Sequence, residues 1–202
     1  MGKAQENKQN KLQRLMDATF VLFSNRGMAR TSISDITAAA GIAKGTFYLY
    51  FKDKDDIRDA LVSQMTQRLF REAVQGQEES DRPFADKLIH ILDSMLNQLQ
   101  NSPLLLRFLR KNLSWSTLRS ALRHAATQRG QSYMDEFYRL TANDPSQWEA
   151  PQVMIFTIIE LVGSTCYSVV AEHDPVDLAT YKPYLYRTIR GIVQSHQQQP
   201  EG

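Results

Sequence analysis

Residues 31–57, TSISDITAAAGIAKGTFYLYFKDKDDI, constrain the fold of this chain more than any other stretch. Gly41 divides two short segments of helical character, and a third helix opens at an acidic cap. Ser32 carries the side-chain oxygen of an N-cap and Asp35, three residues on, can answer it, so a helix is predicted to start here. Ile33, Ile36 and the alanines from Ala38 to Ala40 give that helix one apolar face. Gly41 can take the left-handed backbone that ends it, with Ile42 packing inward behind the turn. A second helix is predicted from Lys44 to Phe51. Phe47, Tyr50 and Phe51 can anchor it, while Lys44, Gly45, Thr46 and Tyr48 offer small or polar positions outward. Two short helices about a glycine turn form the pattern of a helix-turn-helix, an element that lays its second helix in the major groove of DNA.

The charge distribution points the same way. Residues 1–54 carry nine Lys and Arg against four acids, whereas the remaining 148 carry fifteen against eighteen, so the overall net charge of +2 hides a basic N-terminal part. Positive charge gathered around the motif is what attraction to a phosphate backbone requires. At 202 residues the chain suits one long or two small domains. With 42% apolar and 23% charged residues it has the make-up of an ordinary globular protein. No apolar run is read as approaching the roughly 18 residues of a spanning helix, and no membrane partner is expected. MGKAQENKQNK lacks the apolar stretch of a secretory signal, and Glu6 stands where a myristoylation motif wants Ser or Thr. One cysteine, Cys166, excludes an intramolecular disulfide and a cysteine cluster for zinc. A reducing cytoplasm is the simplest compartment.

The chain reads as all-α. Residues 1–9 are polar and are expected to form a disordered arm. A helix is predicted from Asn10 to Asn25, with Leu12, Leu15, Met16, Phe20 and Phe23 on one side and Gly27 as its stop. Asp53 can cap a further helix carrying Ile57, Leu61, Met65 and Leu69 on one stripe. The helix-turn-helix domain with this connecting helix is therefore placed at 10–75. The polar segment GQEESDRP, residues 76–83, reads as the boundary. A second helical domain is placed at 84–197. Its helices are expected from Phe84 to Leu99, from Ser102 and Pro103 onward, from about Ser116 to Leu140, from Gln152 to Glu172, and from about Val176 to Ser195. Residues 141–151 read as a loop, Pro183 is expected to kink the last helix or mark a late start, and no strand pattern is visible.

The spacing of Phe23, Gly27, Thr31, Ile36, Ala40, Gly41, Lys44, Gly45, Thr46, Tyr48, Tyr50, Phe51 and Lys54 resembles the TetR family of bacterial transcriptional regulators. The likeness covers about residues 12–60. It implies a homodimer that binds a palindromic operator in double-stranded DNA and is released by a small-molecule effector. Carried over residue by residue, it implies that Lys44, Gly45 and Thr46 approach base edges and phosphates, with Gly45 allowing close backbone approach. It further implies phosphate contacts from Tyr48, from Lys54, and from Thr31 and Ser32 at the start of the preceding helix. Three positions depart from the family pattern. Ala43 stands where a capping Ser is frequent, at a cost of about 1 kcal/mol, and Thr37 replaces a common alanine. Leu49 replaces His or another polar residue; it cannot hydrogen-bond a base but can pack on a thymine methyl.

In the second domain the last two helices, about 152–172 and 176–195, are the expected dimer surface. The first of them is apolar nearly all round, and Gly163, Ser164 and Ser168 would let a partner helix approach. Met95, Leu99, Phe108, Trp115, Phe137, Tyr138, Phe156 and Tyr167 are of the kind that lines an adaptable apolar cavity, although a plain helical core uses the same residue types. Glu160, a carboxylate within IFTIIELVG, needs a partner if buried. Pairing with Arg107 or Arg110, a contact across the dimer, and a ligand contact all remain open. No cofactor, metal site or catalytic residue is expected: His90, His124, His173 and His196 fall singly, and neither HExxH nor GxSxG occurs. Cys166 lies in an apolar helix and suits an inert core thiol. A ligand-independent activator or architectural DNA-binding protein is the alternative to a ligand-responsive repressor, and an enzyme is a more distant one.

Overall fold

A computed structural model describes residues 2–75, 81–112, 133–142, 144 and 147–198. Helices α1 (Lys3–Arg26), α2 (Ile33–Ala40), α3 (Lys44–Phe47), α4 (Lys54–Val74), α5 (Phe84–Gln100), α6 (Pro103–Asn112), α7 (Tyr133–Leu140), α8 (Pro151–Tyr167) and α9 (Leu178–Ser195) account for most of them. The all-α expectation holds. The chain divides into two compact units, the described residues of 1–66 with those of 104–121, and the described residues of 67–103 with those of 122–202. The division falls within α4 and at the start of α6 rather than at 76–83. Phe108 of α6 belongs to the first unit, its ring edge-on to Phe20 at 5.2 Å.

In the first unit α1 buries Leu15, Met16 and Phe23 and packs on α2, which in turn packs on α3. Its two buried hydroxyls are satisfied inside the helix, Thr19 Oγ donating to the Leu15 carbonyl at 2.7 Å and Ser24 Oγ to that of Phe20 at 2.6 Å. Gly27 ends α1 at φ 81°, its N–H bonded to Phe23 O. The helix starts at Lys3, where the sequence predicts a disordered arm. Ala, Gln, Glu and Lys between 3 and 9 are good helix formers, so propensity carries α1 past its buried part.

The second unit packs α5 against α9 and against the one-turn π-helix, Ser168–Glu172, that extends α8. Phe84, Ile91, Leu96 and Leu99 of α5 are buried, whereas Leu88 and Met95 are half-buried. Phe84, Phe137 and Trp148 form a mutually edge-on aromatic cluster with centroids 5.1–5.5 Å apart. Beside Phe84 by one turn, buried Lys87 donates its ammonium to the Leu140 carbonyl at 3.0 Å, a cation closing the C-terminus of α7.

Three expectations need correction. Residues 147–148 and 197–198 pair as antiparallel strands β1 and β2, Gln147 opposite Gln198 and Trp148 opposite Gln197. Glutamines carry no strand signal, and the pairing is extended by the bond from Glu149 N to His196 O at 2.8 Å. Pro183 lies inside α9, which begins later than expected where Asp177 Oδ1 accepts from Thr180 N. Lastly, Pro151–Glu172 is long and apolar enough to cross a membrane by length and composition, with only 28% of that stretch buried. Thr, Ser, Gly and Glu160 interrupt the apolar run, and Glu172 ends it, without changing its average character.

Candidate nucleic-acid interface

The helix-turn-helix is built as its residues dictate. Ser32 Oγ accepts from Asp35 N at 3.1 Å while Asp35 Oδ2 accepts from Ser32 N at 2.8 Å, the reciprocal pair that starts α2. The hydrogen bonds from Ser32 hold the Asp35 carboxyl below the usual carboxylate range. At the other end Gly41 sits at φ 63°, ψ 41°. Its N–H reaches Ala38 O at 3.1 Å and the N–H of Ile42 reaches Thr37 O at 3.0 Å, the two bonds of a Schellman turn. Arg14 of α1 donates to the Gly41 carbonyl at 3.1 Å, tying the turn to the first helix. Sequence reasoning missed that contact.

Beyond the turn α3 is shorter than predicted, closing at Phe47. The chain then tightens, Leu49 N bonding Thr46 O and Tyr50 N bonding Phe47 O. Ala43 precedes α3 without any side-chain cap, as its substitution for Ser foretells. Phe47 is fully buried and lies 5.8 Å from Phe51, so it fixes the segment like a plug. Lys44 and Gly45 are exposed and Thr46 is half-buried. Tyr48 is 55% and Leu49 78% exposed. Large apolar or aromatic groups this open, on a segment otherwise locked in the core, are presented rather than packed.

Two of the sequence-predicted phosphate contacts lie elsewhere. Lys54 Nζ donates to the carbonyls of Met28 at 2.9 Å and Thr31 at 2.8 Å, closing the turn between α1 and α2. Thr31 is 1% exposed, its hydroxyl turned back onto Gly27 O at 2.9 Å. Ser32 is exposed, with its side chain engaged by Asp35. Tyr50, expected in the core, is half-buried and donates its hydroxyl to Lys8 O at 3.1 Å. Asp53 does cap α4, accepting from Asp56 N at 2.9 Å.

The candidate effector residues differ in burial and in the unit to which they belong. Leu99 and Phe137 are core of the second unit and Met95 and Tyr167 are half-buried, but Phe108 is core of the first unit. Tyr138, Phe156 and Glu160 are exposed, and Trp115 lies outside the described residues. Glu160 is thus not a buried carboxylate: α8 turns it to solvent. The half-buried ionic cluster of the second unit is instead at Asp93, which accepts from Lys182 Nζ at 2.6 Å, from Asn97 Nδ2 at 3.0 Å and from the Tyr186 hydroxyl. Burial pushes this carboxyl up, but the bonds from Lys182 and Tyr186 outweigh it and hold it below its usual range. Polar residues four apart on two amphipathic helices, 93 with 97 and 182 with 186, were the available signal. Cys166 is buried and its thiol is pushed up to about 11 by desolvation.

Comparison with known proteins agrees with this architecture. The family of bacterial regulatory proteins called tetR matches residues 15–61. An uncharacterized HTH-type transcriptional regulator of Bacillus subtilis, YvdT, is 31% identical over 83 residues, 41% of this chain and 42% of its own length. The chain therefore matches less than half the length of that relative. Among solved structures, SmeT, the repressor of the Stenotrophomonas maltophilia multidrug efflux pump SmeDEF, is similar with a TM-score of 0.64 at 18% identity, covering 93% of this chain and 90% of its own. FadR of Bacillus subtilis, solved with stearoyl-CoA, is similar with a TM-score of 0.64 at 17% identity, covering 88% and 97%. At such identities the two structures speak for the fold alone. Residues 15–61, folded as a capped helix, a Schellman turn and a plugged second helix, thus match the tetR family of bacterial regulatory proteins, and the chain as a whole shares the fold of these solved regulators.

Proposed function

We propose that this protein is a repressor that binds a palindromic operator as a homodimer in the cytoplasm and leaves it when a small molecule binds the second unit. It is a binding protein rather than an enzyme. The observation that carries the reading is the display of Lys44, Gly45, Tyr48 and Leu49 on a segment whose Phe47 is locked in the core. Lys44 and the Tyr48 hydroxyl are suited to phosphates, the missing side chain of Gly45 to close approach, and Leu49 to a thymine methyl. Ser32 is exposed beside them at the start of α2, while Thr31 and Lys54 support the turn behind.

Dimerisation is supported by the outer faces of α8 and α9. Val153 is 50%, Phe156 38% and Tyr184 58% exposed. A Cβ built at Gly163 or Gly191 would meet nothing within 4 Å. A second copy would cover this apolar face and space two recognition segments by roughly 34 Å, one turn of DNA. An effector shifts such a dimer only by binding its two states unequally. Helix α4, continuous from the first unit into the second, is the element through which the shift would pass. The similar fold of FadR, solved in complex with stearoyl-CoA, supports a small-molecule ligand for a chain of this fold.

Selection from a randomised duplex pool, with Tyr48→Phe and Lys44→Ala as comparisons, tests the proposal. A recovered palindrome weakened several-fold by both changes is expected. A protein that enriches no sequence, or whose enrichment is indifferent to both changes, would refute it.

A further inference from the structure

We infer that the homodimer is set in register, and made selective for copies of itself, by an ion pair between Glu160 of one protomer and Arg187 of the other, formed twice about the two-fold axis. The inference rests on the dimer reading above. The exposed side of α8 runs through Val153, Phe156, Thr157, Glu160, Gly163 and Ser164, three or four residues apart along a single face. Glu160 is the only charged residue of α8. It stands in the middle of that face with no hydrogen bond or ion pair among the described residues.

A carboxylate so placed governs what can cover the face. If an apolar surface sealed it, the charge would lose its water without compensation, and one unpaired buried charge outweighs several apolar contacts. In an isologous interface, residue i meets j and j meets i. If Glu160 met its own copy, two like charges would face each other. A cation on the neighbouring helix resolves both difficulties.

Helix α9 has three cations, Lys182, Arg187 and Arg190. Lys182 is held by Asp93 and Asn97, each at 2.6 Å. Arg190 pairs with Asp86 at 2.7 Å. Arg187 has no acidic partner among the described residues; its guanidinium lies 5.3 Å from the centre of the exposed Tyr184 ring. Stacking on an aromatic face leaves the edge of a guanidinium open, and that edge matches a carboxylate with two parallel hydrogen bonds. The one unpaired acid of α8 and the one unpaired cation of α9 thus lie on the two helices whose outer faces are uncovered.

Charge exchange tests this in the full chain. Light scattering and sedimentation at low micromolar concentration are expected to show a wild-type dimer. Glu160→Arg and Arg187→Glu should each weaken self-association at least ten-fold, because each places like charges together at two symmetric points. Mixing the two single variants with different tags should recover a heterodimer in excess over both homodimers, since every contact then joins opposite charges. The double variant Glu160→Arg with Arg187→Glu should dimerise again, which also excludes misfolding as the cause of the single losses. A wild-type dimer with single variants that dimerise equally well, or that fail to combine on mixing, overturns the ion pair and leaves the dimer reading intact. A wild-type chain that stays monomeric overturns both.

Discussion

Lys54 and Lys44 are lysines of one basic motif, yet the structure separates their duties, and substituting each by alanine should give opposite signatures. Lys54 places its ammonium on two backbone carbonyls, at 2.8 and 2.9 Å, in a half-buried site. A hydrogen bond to a charged group contributes about 1.5–3 kcal/mol. Two bonds from one flexible side chain are not twice that, since holding the chain costs rotamer entropy and water can reach a half-buried carbonyl. Lys54→Ala should therefore cost about 2 kcal/mol, or about 4–8 °C in Tm for a chain of this size. Lys44 is exposed with nothing to lose, so Lys44→Ala should stay within about 0.5 kcal/mol. On operator DNA the order reverses. Each phosphate contact contributes about 0.9 to the slope of log K against log salt, so Lys44→Ala should flatten the slope by about one, and Lys54→Ala should leave it unchanged per folded molecule. Urea titration with fluorescence-anisotropy binding over 50–300 mM salt separates the two. If Lys54→Ala kept full stability and lost one unit of salt slope, the lysine would be a phosphate ligand and this assignment would be wrong.

Gly41→Ala should cost about 1–2 kcal/mol, because its φ of 63° places a Cβ in the left-handed region; the added Cβ would also meet Arg14 Nη2, the end of a flexible side chain that can swing aside. A urea midpoint unchanged by this substitution would remove the Schellman turn from the argument. Asp35 has a depressed pKa in the folded state, so its contribution is present above the ordinary carboxylate range and is lost as pH falls through its folded value. The acid limb of the stability curve below about pH 4 should accordingly be shallower in Asp35→Asn, and an identical limb would contradict the capping geometry. The Cys166 thiol, buried and pushed up to about 11, should react with a thiol reagent at pH 8 only as fast as the second unit opens; prompt labelling of the native chain would refute its burial.

Legibility in the sequence follows how local each interaction is. The start and stop of α2 were readable because Ser32, Asp35 and Gly41 act within a few residues of themselves. The apolar stripe of α1 was readable for the same reason. Its first residues read as a disordered arm by their polar composition, whereas helix propensity and the anchor from Tyr50 to Lys8 O favour continuation. The β1–β2 pair joins segments about 50 residues apart, and nothing in the dipeptides Gln-Trp and Gln-Gln announces it.

The site was legible where a residue's use depends on exposure enforced by its neighbours, and illegible where it depends on reach. Phe47 is buried, so Tyr48 and Leu49 beside it must face outward, a consequence of local geometry alone. Lys54 and Glu160 are different, for the direction of each charge is set by the surrounding fold rather than by its neighbours in sequence. The carbonyls of Met28 and Thr31 lie 26 and 23 residues away in sequence, so a lysine that matches a DNA-contact position turns inward to hold the turn. Glu160 is flanked by apolar residues and reads as buried, yet its helix shows that face to solvent. The same neighbours that suggest burial in a monomer supply the surface that a second copy would bury. Composition along a helix therefore registers how apolar a residue's neighbours are, and cannot say whether its own chain, another copy or solvent covers its face.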